Sequence, residues 1–336
     1  MTNEQILSQI VNENEREVFK SMRTDMAGAS ALLNPEQFNQ FMRAAAINNT
    51  ILNDASVRRM NSMSQVVSST KIVGRVLQSG YKADGVTTQD ELTEATIGFG
   101  KAELNATKMK AKTSILDDDK EDNIEREQFE STLLTMMGEA VGTDLEAVCV
   151  FGDTDSQNAS PLFKCFDGWI KTSTTKIDST DDFNIATDGV TAMFDKMLYA
   201  MPTAYRQSNL KKDLVYYVPF EVHEAYRHYL MDRETGLGDS SILNDSELQY
   251  KGIPVKYAPV LDAADGRTFY GAVPSILTVP EFLWYGVYRD LSVEPKRIPE
   301  NEETEYYYRI RCDASLQWND ACVIADITPA EAAALL

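Results

Sequence analysis

The side chains best suited to catalysis are few in this chain, and their spacing suits no familiar chemistry. Only two histidines occur, in the run His223-Glu224-Ala225-Tyr226-Arg227-His228. A zinc-protease helix needs histidines four apart, so that both imidazoles meet one metal. Five apart, at 3.6 residues per turn, they point about 140° away from each other. Two surface histidines are the plainer reading. The run Asp117-Asp118-Asp119-Lys120-Glu121-Asp122 begins like a calcium loop, with carboxylates at its first, third and fifth positions. Such a loop needs glycine at position six and a carboxylate at twelve, where this chain has Asp122 and Gln128. A solvated turn ahead of a helix fits better.

The remaining candidates weaken in the same way. Cys149, Cys165, Cys312 and Cys322 form no CxxC pair, and neighbours such as Val148, Val150, Ile310 and Val323 predict buried thiols. Gly236-Leu237-Gly238-Asp239 is too short for a phosphate loop, and neither a Walker nor a dinucleotide motif occurs. A serine nucleophile elbow is missing. Tyr306-Tyr307-Tyr308 with Arg309 and Arg311 could stack nucleobases. A strand that buries one tyrosine face and pairs its charged face with acids explains the same residues. No catalytic, cofactor-binding or metal residues are therefore assigned, and no cofactor is expected.

The elements that would position any site point elsewhere. The chain has 336 residues and 43% apolar residues, enough for about two domains with ordinary cores. Its 52 acidic against 32 basic residues give a formal charge of −20, which repels phosphate and anionic lipid. A dedicated DNA-binding or membrane protein is disfavoured, whereas a container wall that lets DNA slide is not. Met1-Thr2-Asn3-Glu4-Gln5 lacks the basic start of a signal peptide, and no apolar stretch is long enough to span a bilayer. Synthesis in a reducing cytoplasm is expected.

Along the chain, helical spacing from Asn3 to Met22 and from Pro35 to Ala45 predicts two amphipathic helices with no core of their own. Two β-rich stretches, 65–77 and 95–115, predict a long hairpin with a tip near Ala83-Asp84-Gly85. In its second arm Thr107, Met109, Ala111, Thr113 and Ile115 share one face, and Lys108, Lys110 and Lys112 the other. Each arm could span about 50 Å, and a two-stranded ribbon of that reach is marginal alone in water. Asp122 and Glu125 then suggest a capping box for a helix running to Phe151, with Phe129, Leu133, Met136, Met137, Ala140, Val141, Leu145 and Val148 on one face. From Asp182 onward helices and strands alternate: a helix from Val190 that ends at Met201-Pro202, a buried strand 214–218, a helix 222–230, and strand material at 253–255 and 269–277. The end is β-rich: a strand 286–293, a polar connector 294–305, and a strand from Tyr306. That last strand puts Tyr306, Tyr308, Ile310 and Cys312 on one face and Tyr307, Arg309, Arg311 and Asp313 on the other, and is followed by a return over 321–327.

This order resembles the major capsid proteins of tailed phages, the Hong-Kong-97-type fold. Leu33-Asn34-Pro35-Glu36-Gln37-Phe38 through Val57-Arg58-Arg59-Met60 is similar to that family's N-terminal arm, and 65–115 to its extended loop. Asp122-Asn123-Ile124 through Phe151-Gly152-Asp153 resembles the spine helix and its turn, and Phe166-Asp167-Gly168-Trp169 a short return. Leu214–Val218, Tyr226 and Gly252-Ile253-Pro254-Val255 resemble the axial domain.

The resemblance implies an α+β fold with an arm over 1–62 and an extended β-hairpin loop over 63–116. It also implies a peripheral domain with the spine helix over 117–181, an axial α/β domain over 182–283, and peripheral strands over 284–336. It further implies a virion shell of hexamers and pentamers around double-stranded DNA, assembled in the host cytoplasm. Its partners would be a separate scaffolding protein, a portal protein and in some systems a decoration protein, with packaged DNA touched only by weak non-specific contact. Extensive maturation cleavage is not expected. Lys82 and Lys101 lie in the loop, but no matched acid and asparagine identify crosslinks. Arg58, Arg59, Lys82, Asp84 and Gly85 are the expected inter-subunit contacts. An encapsulin-type compartment, which shares the fold, and a soluble hydrolase are the alternatives.

Overall fold

In the computed structural model, the described residues are 50–73, 77, 94, 96–116, 129–158, 160–206, 213–232 and 248–335. The expected helices 3–22 and 35–45, the loop tip with Lys82, Asp84 and Gly85, and the acidic turn 117–122 lie outside them. Cα packing groups the chain into two units. One contains Lys108–Gly138 and Arg289–Arg311, and the other Ala45–Thr107, Glu139–Tyr288 and Cys312–Leu336.

The second unit is organised by a six-stranded sheet. Its strands are β5 (Thr175–Asp178), β6 (Val215–Val218), β7 (Gln249–Tyr250), β8 (Ile253–Tyr257), β9 (Val273–Thr278) and β12 (Cys322–Ile327), in the order β5-β12-β9-β6-β8-β7. Every residue of β6 and β9 is buried, as expected of central strands covered on both faces. On one face pack α4 (Ile185–Ala200) and α5 (Phe220–Met231), through Met193, Phe194, Met197, Val222 and Tyr226 against Tyr216, Val218, Val323 and Ala325. Gly189 interrupts α4 with φ +73°, a left-handed conformation that glycine adopts without steric penalty.

The helix Phe129–Phe151, α2, ends where two glycines meet. Gly168 N–H donates to the Gly152 carbonyl at 2.8 Å. A Cβ on Gly152 would stand 2.3 Å from the Phe166 carbonyl oxygen, and one on Gly168 would stand 2.7 Å from that of Cys149. Only glycine lets these backbones touch. The return seats Trp169 of the short helix α3 (Trp169–Thr172), fully buried, with its indole N–H donating to the Trp284 carbonyl at 3.3 Å.

In the first unit, residues of β4 (Thr107–Leu116), β10 (Leu283–Ile298) and β11 (Glu303–Leu316) form a sheet in the order β10-β11-β4. Tyr306, Tyr308 and Ile310 are buried, while Tyr307, Arg309 and Arg311 lie on the more open face, as the alternation predicts. The expected alternation of β4 also holds, with Lys108, Lys110 and Lys112 outward.

Several expectations need correction. The second hairpin strand is not continuous over 95–115: it stops at Asn105, and β4 pairs in another sheet. The ten pairs among the described residues reach about 33 Å. The polar connector 294–305 is mostly strand, because cross-strand pairing outweighs its two prolines; only 299–302 turn. Phe269 lies in the helix α6 (Ala264–Tyr270) ahead of β9, not in a strand. The final strand β12 does not pair back onto β11 but runs between β5 and β9. Cys149, Cys312 and Cys322 are buried thiols as expected, whereas Cys165 is half-buried. Burial pushes Cys312 and Cys322 up to about 12, which keeps both protonated and inert.

Candidate inter-subunit surfaces

Arg58 and Arg59 are placed by one buried carboxylate. Glu146 on α2 is nearly inaccessible, and its Oε1 accepts the backbone N–H of Ile51 at 2.7 Å and of Leu52 at 3.1 Å. Those donors open the single-turn helix α1 (Ile51–Asp54), which has no cap from its own side chains. Burial pushes the Glu146 carboxyl up, and the backbone donors partly offset this. At the other end of α1, Asp54 accepts from the Tyr217 hydroxyl and the Lys256 ammonium, each at 2.8 Å. The next strand, β1 (Ser56–Arg59), runs parallel to the start of β10, pairing Ser56 with Trp284 and Arg59 with Val287. Val57, Arg58 and Arg59 are exposed, and the Arg58 guanidinium lies 4.8 Å from the centre of the Trp284 ring.

The hairpin grows from this strand. β2 (Ser64–Val73) and β3 (Thr96–Asn105) pair antiparallel from Ser64↔Asn105 to Val73↔Thr96 and form a two-stranded sheet of their own. The base is rooted by Leu104 and Ala106 against Met60 and Tyr288. Gly286 makes room for it, since a Cβ there would stand 3.0 Å from Met60 Sδ and 3.1 Å from Leu104 Cδ1. Met63 and Val66, just above the root, are apolar and exposed.

A second carboxylate holds the point where the hairpin ends. Asp313 accepts the Asn105 N–H at 2.5 Å through Oδ2 and the Ala314 N–H at 2.9 Å through Oδ1. Burial pushes Asp313 up to about 6, with Asp167 adding to the rise and the two backbone donors opposing it. The sequence pattern grouped Asp313 with the open charged face of β11, but here it is buried. Neither Glu146 nor Asp313 stood out in sequence. The available signal was a lone carboxylate inside the apolar run Leu145-Glu146-Ala147-Val148.

Among the described residues no three His, Cys, Asp or Glu side chains gather in metal-binding geometry. His223 is half-buried, which pushes its imidazole down, and its neighbour Glu224 lies 3.7 Å away. His228 is exposed.

Comparison with solved structures settles the architecture. The procapsid of satellite phage P4 superposes with a TM-score of 0.59 over 94% of this chain and 98% of its own, at 13% identity. The fold is that of phage capsid proteins. A chain of Mycobacterium phage Ogopogo superposes at TM-score 0.57, over 84% of this chain and 92% of its own, at 11% identity. The capsid of an empty gene-transfer-agent particle matches at 0.57, with 84% and 90% covered and 12% identity. In sequence, a Bacillus subtilis protein named as a prophage capsid protein, YqbE, is 25% identical over 270 residues, which is 79% of this chain and 83% of the relative. No family model matches the chain. The capsid fold accounts for the hairpin, the long helix and the α/β unit that the resemblance implied.

Proposed function

We propose that this chain is the major capsid protein of a tailed phage or prophage, a structural subunit whose copies close a shell of hexamers and pentamers around double-stranded DNA. The observation that carries this reading is the hairpin. Ten register pairs form a separate ribbon rooted only at its base among the described residues, and such a ribbon gains little from water. A neighbouring copy supplies the surface it needs, and repetition by symmetry turns many weak contacts into a closed assembly. Arg58 and Arg59, displayed on a short edge strand beside exposed Val57, suit contacts of this kind. Lys82, Asp84 and Gly85 would extend them at the tip. The separate scaffolding, portal and decoration proteins, and assembly in the host cytoplasm, belong to the same proposal.

The test replaces Lys82–Gly85 by a Gly-Ser linker and follows sedimentation of the purified chain. Soluble subunits with an intact helical circular-dichroism spectrum and a reduced yield of shells support the reading. An unchanged shell yield would contradict a contact role for the tip.

A further inference from the structure

The chain is strongly acidic, yet the open face of the β10-β11-β4 sheet is cationic. Lys108 and Lys110 project from β4, Arg311 and Arg309 from β11, and Arg289 from β10. Their fields overlap: Lys110, Arg309, Arg311 and Arg289 together push the Lys108 ammonium down. Glu294 and Glu305 sit toward the other end of this face, while exposed Asp290 adjoins Arg289. Arg309 is held by Glu294 at 2.9 Å, and Lys112 pairs with Glu305, whose other oxygen accepts from Tyr307 at 2.5 Å. Glu303 and Lys296 also lie near Glu305 and Lys112. The excess of positive charge is thus concentrated around Lys108 and Lys110, with Arg289 beyond them beside Asp290.

Lysines on an edge strand commonly block unwanted strand pairing. That accounts for Lys108 and Lys110 but not for arginines gathered from two further strands. We infer that this face is a docking surface for the phosphate backbone of double-stranded DNA, held without base recognition. The inference rests on the capsid reading and adds to it the place where an otherwise repellent wall meets its contents. Charge complementarity favours DNA, because alternate residues of β4 set ammonium groups about 6.6 Å apart along a line, a row suited to successive phosphates. A polyanion held by phosphate contacts alone is bound weakly and released by salt.

The experiment measures binding of the full-length chain to a random-sequence 30-base-pair duplex by fluorescence anisotropy across a salt series. Electron microscopy of the same preparations scores shells. The variant is Lys108→Gln with Lys110→Gln, and the control is Lys164→Gln with Lys196→Gln, exposed lysines elsewhere with the same charge change. Thermal melts of both variants check that they fold. The inference expects the patch variant to lose about tenfold in affinity at low salt and to flatten the log–log salt slope by about 1.8, from 0.9 per phosphate contact, while the control keeps both. An unchanged slope in the patch variant, or no binding by the unmodified chain at low salt, overturns it. So does a patch variant that binds DNA normally but no longer closes shells, which would make the face an interface between copies. Failure of the unmodified chain to form shells would count against the capsid reading, whatever the DNA result.

Discussion

Replacing Glu146 with alanine tests how the segment leading to Arg58 and Arg59 is held. The substitution removes the acceptor for two backbone donors of α1, one buried and one half-buried. An orphaned buried N–H costs about 1–3 kcal/mol, and water can reach the second donor, so the loss should total roughly 2–4 kcal/mol. For a chain of this size that is about 4–8 °C in Tm, at roughly 2 °C per kcal/mol. Glu146→Gln keeps an acceptor and should lose less than about 1 kcal/mol. The sign with pH can also be read. The folded carboxyl lies above its ordinary 4.5, so its contribution is fullest below that value and fades as pH rises through the folded one. The Gln variant should therefore gain on the unmodified chain as pH rises above 4.5. Calorimetric melts read the stability, and trypsin cleavage after Arg58 and Arg59 reads the release of the segment. An alanine variant within 1 °C of the unmodified chain with unchanged cleavage would refute the reasoning, as would a glutamine variant as damaged as the alanine.

Three further outcomes follow from named contacts. Asp313→Asn should remove a pH dependence of stability between about pH 4 and 7. With a folded value of about 6 against an ordinary 3.8, the unmodified chain should lose up to about 3 kcal/mol as pH rises through 6, and melts from pH 4 to 8 would show it. Gly168→Ala should cost more than about 3 kcal/mol or prevent folding, because its Cβ meets three backbone atoms within 2.8 Å; soluble yield and Tm report it. Met63→Asp with Val66→Asp should leave subunit melting within about 1 kcal/mol, since both side chains are exposed, yet reduce shell yield in sedimentation.

The fold was legible where local pattern and tertiary environment agree. Leu214–Val218 is a short apolar run bounded by Pro219 and proved to be a central strand, and the lysines of β4 marked its open face. Legibility failed where partners lie far apart in sequence. Along β3, Ala102 and Leu104 point inward, as does Ala106; beyond it Met109, Ala111 and Thr113 take the inner face. The inward phase shifts by one residue at Ala106–Thr107, and a one-residue shift exchanges the two faces of a strand. Both halves alternate cleanly, so the run reads as one strand until its two different partners are known. The polar stretch after Val293 looked like a connector because composition does not reveal cross-strand pairing. Glu146 lies 95 residues from the amide it holds, and Asp313 lies 208 residues from Asn105. No local periodicity carries such pairs. The candidate contact surface was therefore only partly visible: Arg58 and Arg59 could be named, but the carboxylates that set their strand and end the hairpin could not.

The central claim is that copies of this chain build a closed shell, and negative-stain electron microscopy of the purified full-length protein tests it most directly. The protein is imaged alone and with a candidate scaffolding protein. Closed shells, or rings of five and six subunits, are predicted. A persistent monomer or dimer under both conditions would contradict the account.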